Sequence, residues 1–261
     1  MKNITITERE FLSSNNGSSK GYAKKVRIGG VWYKVSAGAF NAQAEVVAAR
    51  LAGYTNVGDC VRYEMCTVNG DYASMSEDFL VGVEDAVTVK GLHLEVIGTA
   101  IEPEIADLNG QDRFTYVNDI VRRARGFSLT EPPVFRQLSL LLQFDALVLN
   151  EDRHFNNVKF VKKNGAWGMA AAFDFDCSLY SCLDDLGGVA GYLKPSLPFY
   201  LSHDEQLEWL YSMSDDRLAV HPFDVGEVTR GVWDERHTIG KREVEAYLAD
   251  VSERAGFYGQ I

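Results

Sequence analysis

Apolar and polar residues change period several times along the chain, and those changes mark its elements. YAKKVRIGGVWYKVSA, residues 22–37, alternates on both sides of Gly29-Gly30, a dipeptide suited to a two-residue turn, and reads as a β-hairpin. AFNAQAEVVAARLAGY, residues 39–54, is rich in strong helix formers and has Gly53 near its end, so it reads as a helix. VRYEMCTVNGDYASMSEDFLV, residues 61–81, alternates around Asn69-Gly70 as a second hairpin. The first 80 residues therefore read as hairpin, helix, hairpin.

The remainder has a different rhythm. Residues 113–127 and the stretch from Pro132 to about Leu149 are helical, with Pro132 and Pro133 at a helix start where a missing N–H costs little. The second of these is apolar on most sides and predicts a deeply buried helix. NVKFVKKNGAWGMAAAF, residues 157–173, is a third hairpin turning at Asn164-Gly165. Ser202 and Glu205 fit a capping box, and a last helix covers about 241–256. No internal repeat or low-complexity tail interrupts this order.

Composition changes the picture little. The chain has 261 residues, 46% of them hydrophobic, enough for one large domain or two smaller lobes. A net charge of −11 disfavours general nucleic-acid binding. No apolar run reaches the roughly 20 residues of a membrane span, and the polar N-terminus lacks a signal-peptide core. Cys60, Cys66, Cys177 and Cys182 form no CxxC pair and no zinc spacing, so they read as reduced thiols of a cytoplasmic protein.

The chemistry concentrates in FDALVLNEDRHFNNVKF, residues 144–160, where a buried helix runs into Asn150, Asp152, Arg153, His154, Asn156 and Asn157. One reading is a plain surface loop. The other is a site for cations and phosphate. The third hairpin favours the second, because its register sets residue 157 opposite 172 and brings Asn157 and Asp174 to one end, with Asp152 in the loop leading in. Three oxygen-bearing side chains then meet at one mouth, as a hard cation requires; Asp152 either joins them or accepts a proton from an attacking hydroxyl. Asp145, alone on an apolar helix, reads as a hydrogen-bonding prop for the loop, and Arg153 and His154 as residues that hold it.

Asp-x-x-x-x-Asn, then a hairpin, then Asp is the catalytic order of protein kinases. The local form, N-x-DRH-x-x-N followed by FDFDCSL, resembles the HipA-like serine/threonine kinases, as do the FDALVLN entry helix, YKV with Lys34, and AEVVAARLAG with Glu45. The resemblance covers residues 13–180 and is that of the short, stand-alone type. It implies a two-lobed α+β protein-kinase-like fold, with a small β-rich N-lobe (1–80) and a mainly helical C-lobe (81–261). It implies ATP and Mg²⁺ as cofactors, Asp152 as catalytic base, and Asn157 and Asp174 as metal ligands. Lys34, steadied by Glu45, would contact the nucleotide phosphates under the SSNNGSSKG loop with Ser14, Gly17, Ser18 and Ser19. Residues Ser76 to Phe79, Glu77 among them, would form the hinge beside the adenine. The implied activity is phosphoryl transfer to Ser or Thr of a protein substrate, with autophosphorylation in the serine-rich loop and an antitoxin or regulatory partner. The alternatives are a small-molecule kinase and a nucleotide-binding pseudokinase acting as a partner module. Strand alternation leaves Lys34 on a face with Lys25, Arg27 and Trp32, either a solvated surface or a nucleotide-facing one. Asp176 stands where a DFG triplet has glycine, as a spare metal ligand or a solvated acid.

Overall fold

A computed structural model describes residues 1–14, 23–36, 40–104, 108, 110–125, 132–182 and 202–255. Strand β1 (Lys2–Ile4) and helix α1 (Glu8–Ser14) precede the first hairpin, β2 (Lys25–Ile28) and β3 (Val31–Val35). Helix α2 (Asn41–Ala52) leads to the second hairpin, β4 (Glu64–Val68) and β5 (Asp71–Glu77). Together these strands make a five-stranded sheet in the order β1-β4-β5-β3-β2, with β1 parallel to β4 and the other pairs antiparallel. Both hairpin turns need left-handed backbone, which Gly29, Gly30, Asn69 and Gly70 supply with φ of 59°, 82°, 53° and 94°.

The strand period sorts the two faces of this sheet. Val26, Val35, Cys66, Val68 and Ala73 pack with Ile6 and Phe11 into a small core on the outer face. Lys25, Lys34 and Ser74 lie abreast in the register of the opposite face.

The second half begins with β6 (Asp85–Thr88) and α3 (Val89–Ile97), followed by the short α4 (Ile101–Glu104), α5 (Gly110–Arg125) and α6 (Pro132–Leu147). The third hairpin, β7 (Lys159–Lys163) and β8 (Ala166–Met169), is joined by β6 into a three-stranded sheet. Its register pairs Phe160 with Met169 and Lys163 with Ala166, the frame that sets residue 157 opposite 172. Helices α7 (His203–Met213), α8 (Val225–Val228) and α9 (Lys241–Glu253) complete the described chain. Ser202 and Glu205 form the capping box at the start of α7.

Helix α2 belongs to both halves. It runs beside β4 and β5, yet Phe40, Val47 and Leu51 share a core with Phe144, Leu147, Phe175, Val244 and Leu248. Arg50 adds hydrogen bonds to the carbonyls of Val228 and Arg230, at 3.0 and 2.8 Å. The face of α2 that carries Glu45 is thereby held in place from the C-terminal side. Gly240 closes this contact: its φ is 75°, and a Cβ there would stand 2.6 Å from the buried Phe40 ring. Gly240→Ala is expected to destabilise the protein by about 2–4 kcal/mol, adding an overpacked ring to a left-handed alanine. Urea unfolding midpoints measure this; an unchanged midpoint would show that the ring yields freely.

Among the described residues no helix is long and apolar enough to cross a membrane. All four cysteines are free thiols, and burial pushes Cys60 up to about 12 and Cys66 up to about 11.

Candidate active site

The residues flagged in the 144–160 stretch divide into a buried frame and a set that faces a cavity. The frame is Asp145 and Arg153, both fully buried. Arg153 donates from Nε and Nη2 to the two oxygens of Asp145, at 2.8 and 3.0 Å, in a bidentate fork. Its Nη1 donates to the carbonyls of Asn157 and Phe173, at 3.0 and 2.6 Å. One guanidinium therefore ties the end of α6 to the loop and to the segment just before Asp174. Phe175 lies beneath it, with the guanidinium carbon 4.9 Å from the ring centre. Asn150 donates to Asp145 Oδ1 at 2.8 Å and accepts from the Asp152 N–H at 3.1 Å. His154 departs from the expected role. Only its backbone holds the loop; its Nδ1 has no hydrogen-bond partner, and Nε2 stands 3.9 Å from Asp152 Oδ2.

On this frame sit Asp152, Asn157 and Asp174. Asn157 Nδ2 donates to the Asp152 carbonyl at 3.1 Å, which leaves Oδ1 as its acceptor atom. Asp174 adopts φ of 62°, a left-handed conformation uncommon outside glycine and one that clusters at functional sites. Its N–H donates to Tyr63 Oη at 3.3 Å.

Lys34 connects the two halves. Its ammonium contacts Asp174, Glu45 Oε1 at 3.2 Å and Asp176 Oδ2 at 2.8 Å. Glu45 accepts a 2.5 Å hydrogen bond from Ser74 Oγ. The Lys34 side chain is 11% exposed and that of Glu45 1%, so at Lys34 this strand face is an interior surface, while Arg27 on the same face is exposed. Asp176 is likewise a partner of Lys34 and no solvated acid. The charges shape one another. Burial alone would lower the Lys34 pKa, but Asp174, Glu45 and Asp176 raise it well above the usual lysine range. Burial alone would raise Asp174, yet Lys34 and Lys25 hold it below the usual carboxylate range. Burial raises Asp152 against the pull of His154, and Asp174 and Asp176 raise it further.

Lys34, Glu45, Ser74, Asn157 and Asp174 line a cavity of about 470 Å³ between the five-stranded sheet and the second half, a size suited to a small-molecule ligand, while Asp152 lies next to Asn157 outside that lining. One end holds Lys25, Lys34, Glu45, Tyr63, Asn157 and Asp174. The other is more apolar, with Trp32, Phe79, Leu80 and Phe173. Phe79 and Phe173 stand 5.1 Å apart, and the Lys159 ammonium lies over both rings at 5.6 and 5.2 Å. Ser76 and Phe79 line this end; the Glu77 side chain is exposed and does not. Gly17, Ser18 and Ser19 and the Ser14 side chain lie outside the described residues. Lys25, which alternation sets on the Lys34 face, also enters the cavity, as do Tyr63, Lys159 and Phe173, which sequence reasoning did not single out.

Solved structures show this architecture elsewhere. A Helicobacter pylori proinflammatory kinase, CtkA, superposes with a TM-score of 0.56 at 15% identity, over 91% of this chain and 88% of its own. A chain of the Shewanella oneidensis toxin–antitoxin complex of HipA, HipB and operator DNA gives 0.53 at 13% identity, over 93% of this chain and 66% of its own. The chain has the HipA/CtkA kinase-like fold. No protein-family model and no curated protein matches it by sequence.

In a kinase-like cleft the donor set can be tested against the nucleotide and metal that the resemblance implies. Among the described residues no three His, Cys, Asp or Glu side chains form a ready cation cage. Two carboxylates, Asp174 and Glu45, and one amide oxygen, that of Asn157, face the polar end, and Glu45 is already engaged by Lys34 and Ser74. That set is sparse for Ca²⁺ or Zn²⁺ but fits Mg²⁺, which takes one or two protein oxygens and completes its shell with water and phosphate. The cavity's charged groups around Lys34 and Asp174, and its aromatic pair Phe79 and Phe173, likewise fit a nucleotide.

Proposed function

We propose that this protein is an ATP- and Mg²⁺-dependent phosphotransferase acting on Ser or Thr of a protein. The observation that carries the reading is the convergence of Lys34, Glu45 and Asp174, from three separate elements, at the cavity end adjoining Asp152 and Asn157. In this reading residues 1–80 form the nucleotide-binding lobe and 81–261 the catalytic lobe. Asn157 and Asp174 would hold Mg²⁺, which supplies charge neutralisation to the phosphates. Lys34, aligned by Glu45, binds phosphate oxygens. Phe79, Phe173 and Trp32 offer surfaces for the base, with the hinge backbone near Glu77 beside it. Asp152 orients the acceptor hydroxyl and takes its proton. Its half-exposed position suits a group that must meet a second substrate.

Catalysis here is positioning and electrostatics, so loss of one well-placed cation is expected to be severe. Lys34→Ala should lower kcat/KM for ATP by roughly 10²-fold, and Glu45→Ala by less, because Glu45 acts through Lys34. Wild-type rates for both at subsaturating ATP would make the Lys34 cluster structural only.

Incubation with labelled ATP tests the function itself. Label on the protein, in the serine-rich segment 13–19, or on added casein supports a protein kinase. Label only on small molecules supports the small-molecule kinase, and binding without transfer a pseudokinase module. The HipA neighbour is solved with HipB and operator DNA; by analogy an antitoxin-like protein is the partner to seek. Phosphopeptide mass spectrometry on a treated lysate would name the substrate.

A further inference from the structure

Lys25 and Lys34 face each other across the β2–β3 register, on the same side of the sheet. Their ammonium groups meet at one atom, Asp174 Oδ1, which Lys34 contacts and Lys25 approaches to 3.6 Å. The Lys25 side chain is 18% exposed, lines the cavity, and lies at its polar end. Lys34 has carboxylates of its own in Glu45 and Asp176. Asp174 therefore holds a second cation beside Lys34, in a cluster of three carboxylates and two lysines. Two ammonium groups sharing one oxygen repel each other, and a flexible lysine stem on a sheet surface could instead carry its charge to water. A ligand with several anionic oxygens in this cavity would relieve that crowding.

We propose that Lys25 is a second phosphate-binding cation of the site, paired with Asp174 and passing to phosphate oxygens when a nucleotide and a divalent cation enter. The inference rests on the phosphotransferase reading above. Lys25 then competes with the metal for Asp174 and cooperates with it once phosphate is present. Removing Lys25 must shift the two ligands in opposite directions. A lysine that only packs the strand would shift both the same way, or neither.

The experiment uses the full chain as wild type, Lys25→Met and Lys25→Arg, with thermal unfolding as a check on folding. Mn²⁺ alone is titrated by electron paramagnetic resonance, and a non-hydrolysable ATP analogue with Mg²⁺ by calorimetry. Lys25→Met is expected to bind the analogue roughly tenfold more weakly, about 1.4 kcal/mol, and Mn²⁺ alone more tightly. Lys25→Arg, which keeps the charge, should restore analogue binding. Unchanged analogue affinity in Lys25→Met, or parallel loss of Mn²⁺ and analogue, overturns the proposal. A wild-type protein that binds no analogue instead overturns the phosphotransferase reading, and the phosphate role of Lys25 with it.

Discussion

Asp152→Asn is expected to bind Mg-ATP nearly as the wild type does and to lose roughly 10²–10⁴ in turnover, the range for a positioned base. The frame around the residue explains why the two effects should separate. Asp152 is held through its backbone: its N–H donates to Asn150, and its carbonyl accepts from Asn157 Nδ2 and the His154 N–H. None of these bonds involves the carboxylate, so asparagine keeps the loop and removes only the proton acceptor. Asp174→Ala should behave differently. It takes an anionic oxygen from the polar end and leaves Lys34 and Lys25 short of a partner, so Mg²⁺-dependent ATP affinity should fall together with turnover. The pH profile adds a second check. Asp152 must be ionised to act, and its pKa is raised, so wild-type turnover should fail on the acid side above the usual aspartate range. Calorimetry of Mg-ATP with each variant, beside a transfer assay, decides. Full activity in Asp152→Asn, or unchanged Mg-ATP affinity in Asp174→Ala, would overturn the assignment and leave the segment between α6 and β7 a structural connection only.

Arg153→Ala is expected to cost about 3–5 kcal/mol, the usual result of stripping one partner from a buried ion pair. The loss exceeds that of a surface salt bridge because four acceptors lose a donor at once: both Asp145 oxygens, of which Oδ1 keeps only Asn150, and the carbonyls of Asn157 and Phe173. For a chain of this size the melting temperature should drop by roughly 10 °C. Activity should disappear as well, since the same guanidinium sets the loop against the segment bearing Asp174. An Asp145→Leu/Arg153→Met double variant removes the uncompensated charge. It should regain part of the stability while staying inactive, because the two carbonyls remain without a donor. A melting temperature within a degree of wild type for Arg153→Ala would mean that the loop is held by something else.

The sequence by itself determined what depends on neighbours along the chain. Three hairpins were legible because Gly29-Gly30, Asn69-Gly70 and Asn164-Gly165 can adopt positive φ and the flanking residues alternate with a period of two. The α2 and α6 segments were legible from composition and helical spacing, and the α7 capping box from four residues. The role of Asp145 as a buried prop followed from a lone acid on an apolar helix. Strand β1 and helix α1 were not legible. The three residues of β1 pair with Cys66, Thr67 and Val68, more than sixty positions away, so no local period reports them. Strand β6 escaped for the same reason, since its partner β7 lies more than seventy residues on.

Only the tertiary structure decided that both faces of the β2–β3 hairpin are covered at Lys34 and Val35. Alternation separates the two but cannot say what each side meets: Val35 meets a small core with Ile6 and Phe11, and Lys34 meets α2 and the second half. It also decided that Lys25, Tyr63, Lys159 and Phe173 enter the cavity, and that Asp176 pairs with Lys34. Each of these reaches the site from a different strand or loop. Their meeting depends on how two halves of the chain are docked, a long-range fact that residue order does not carry.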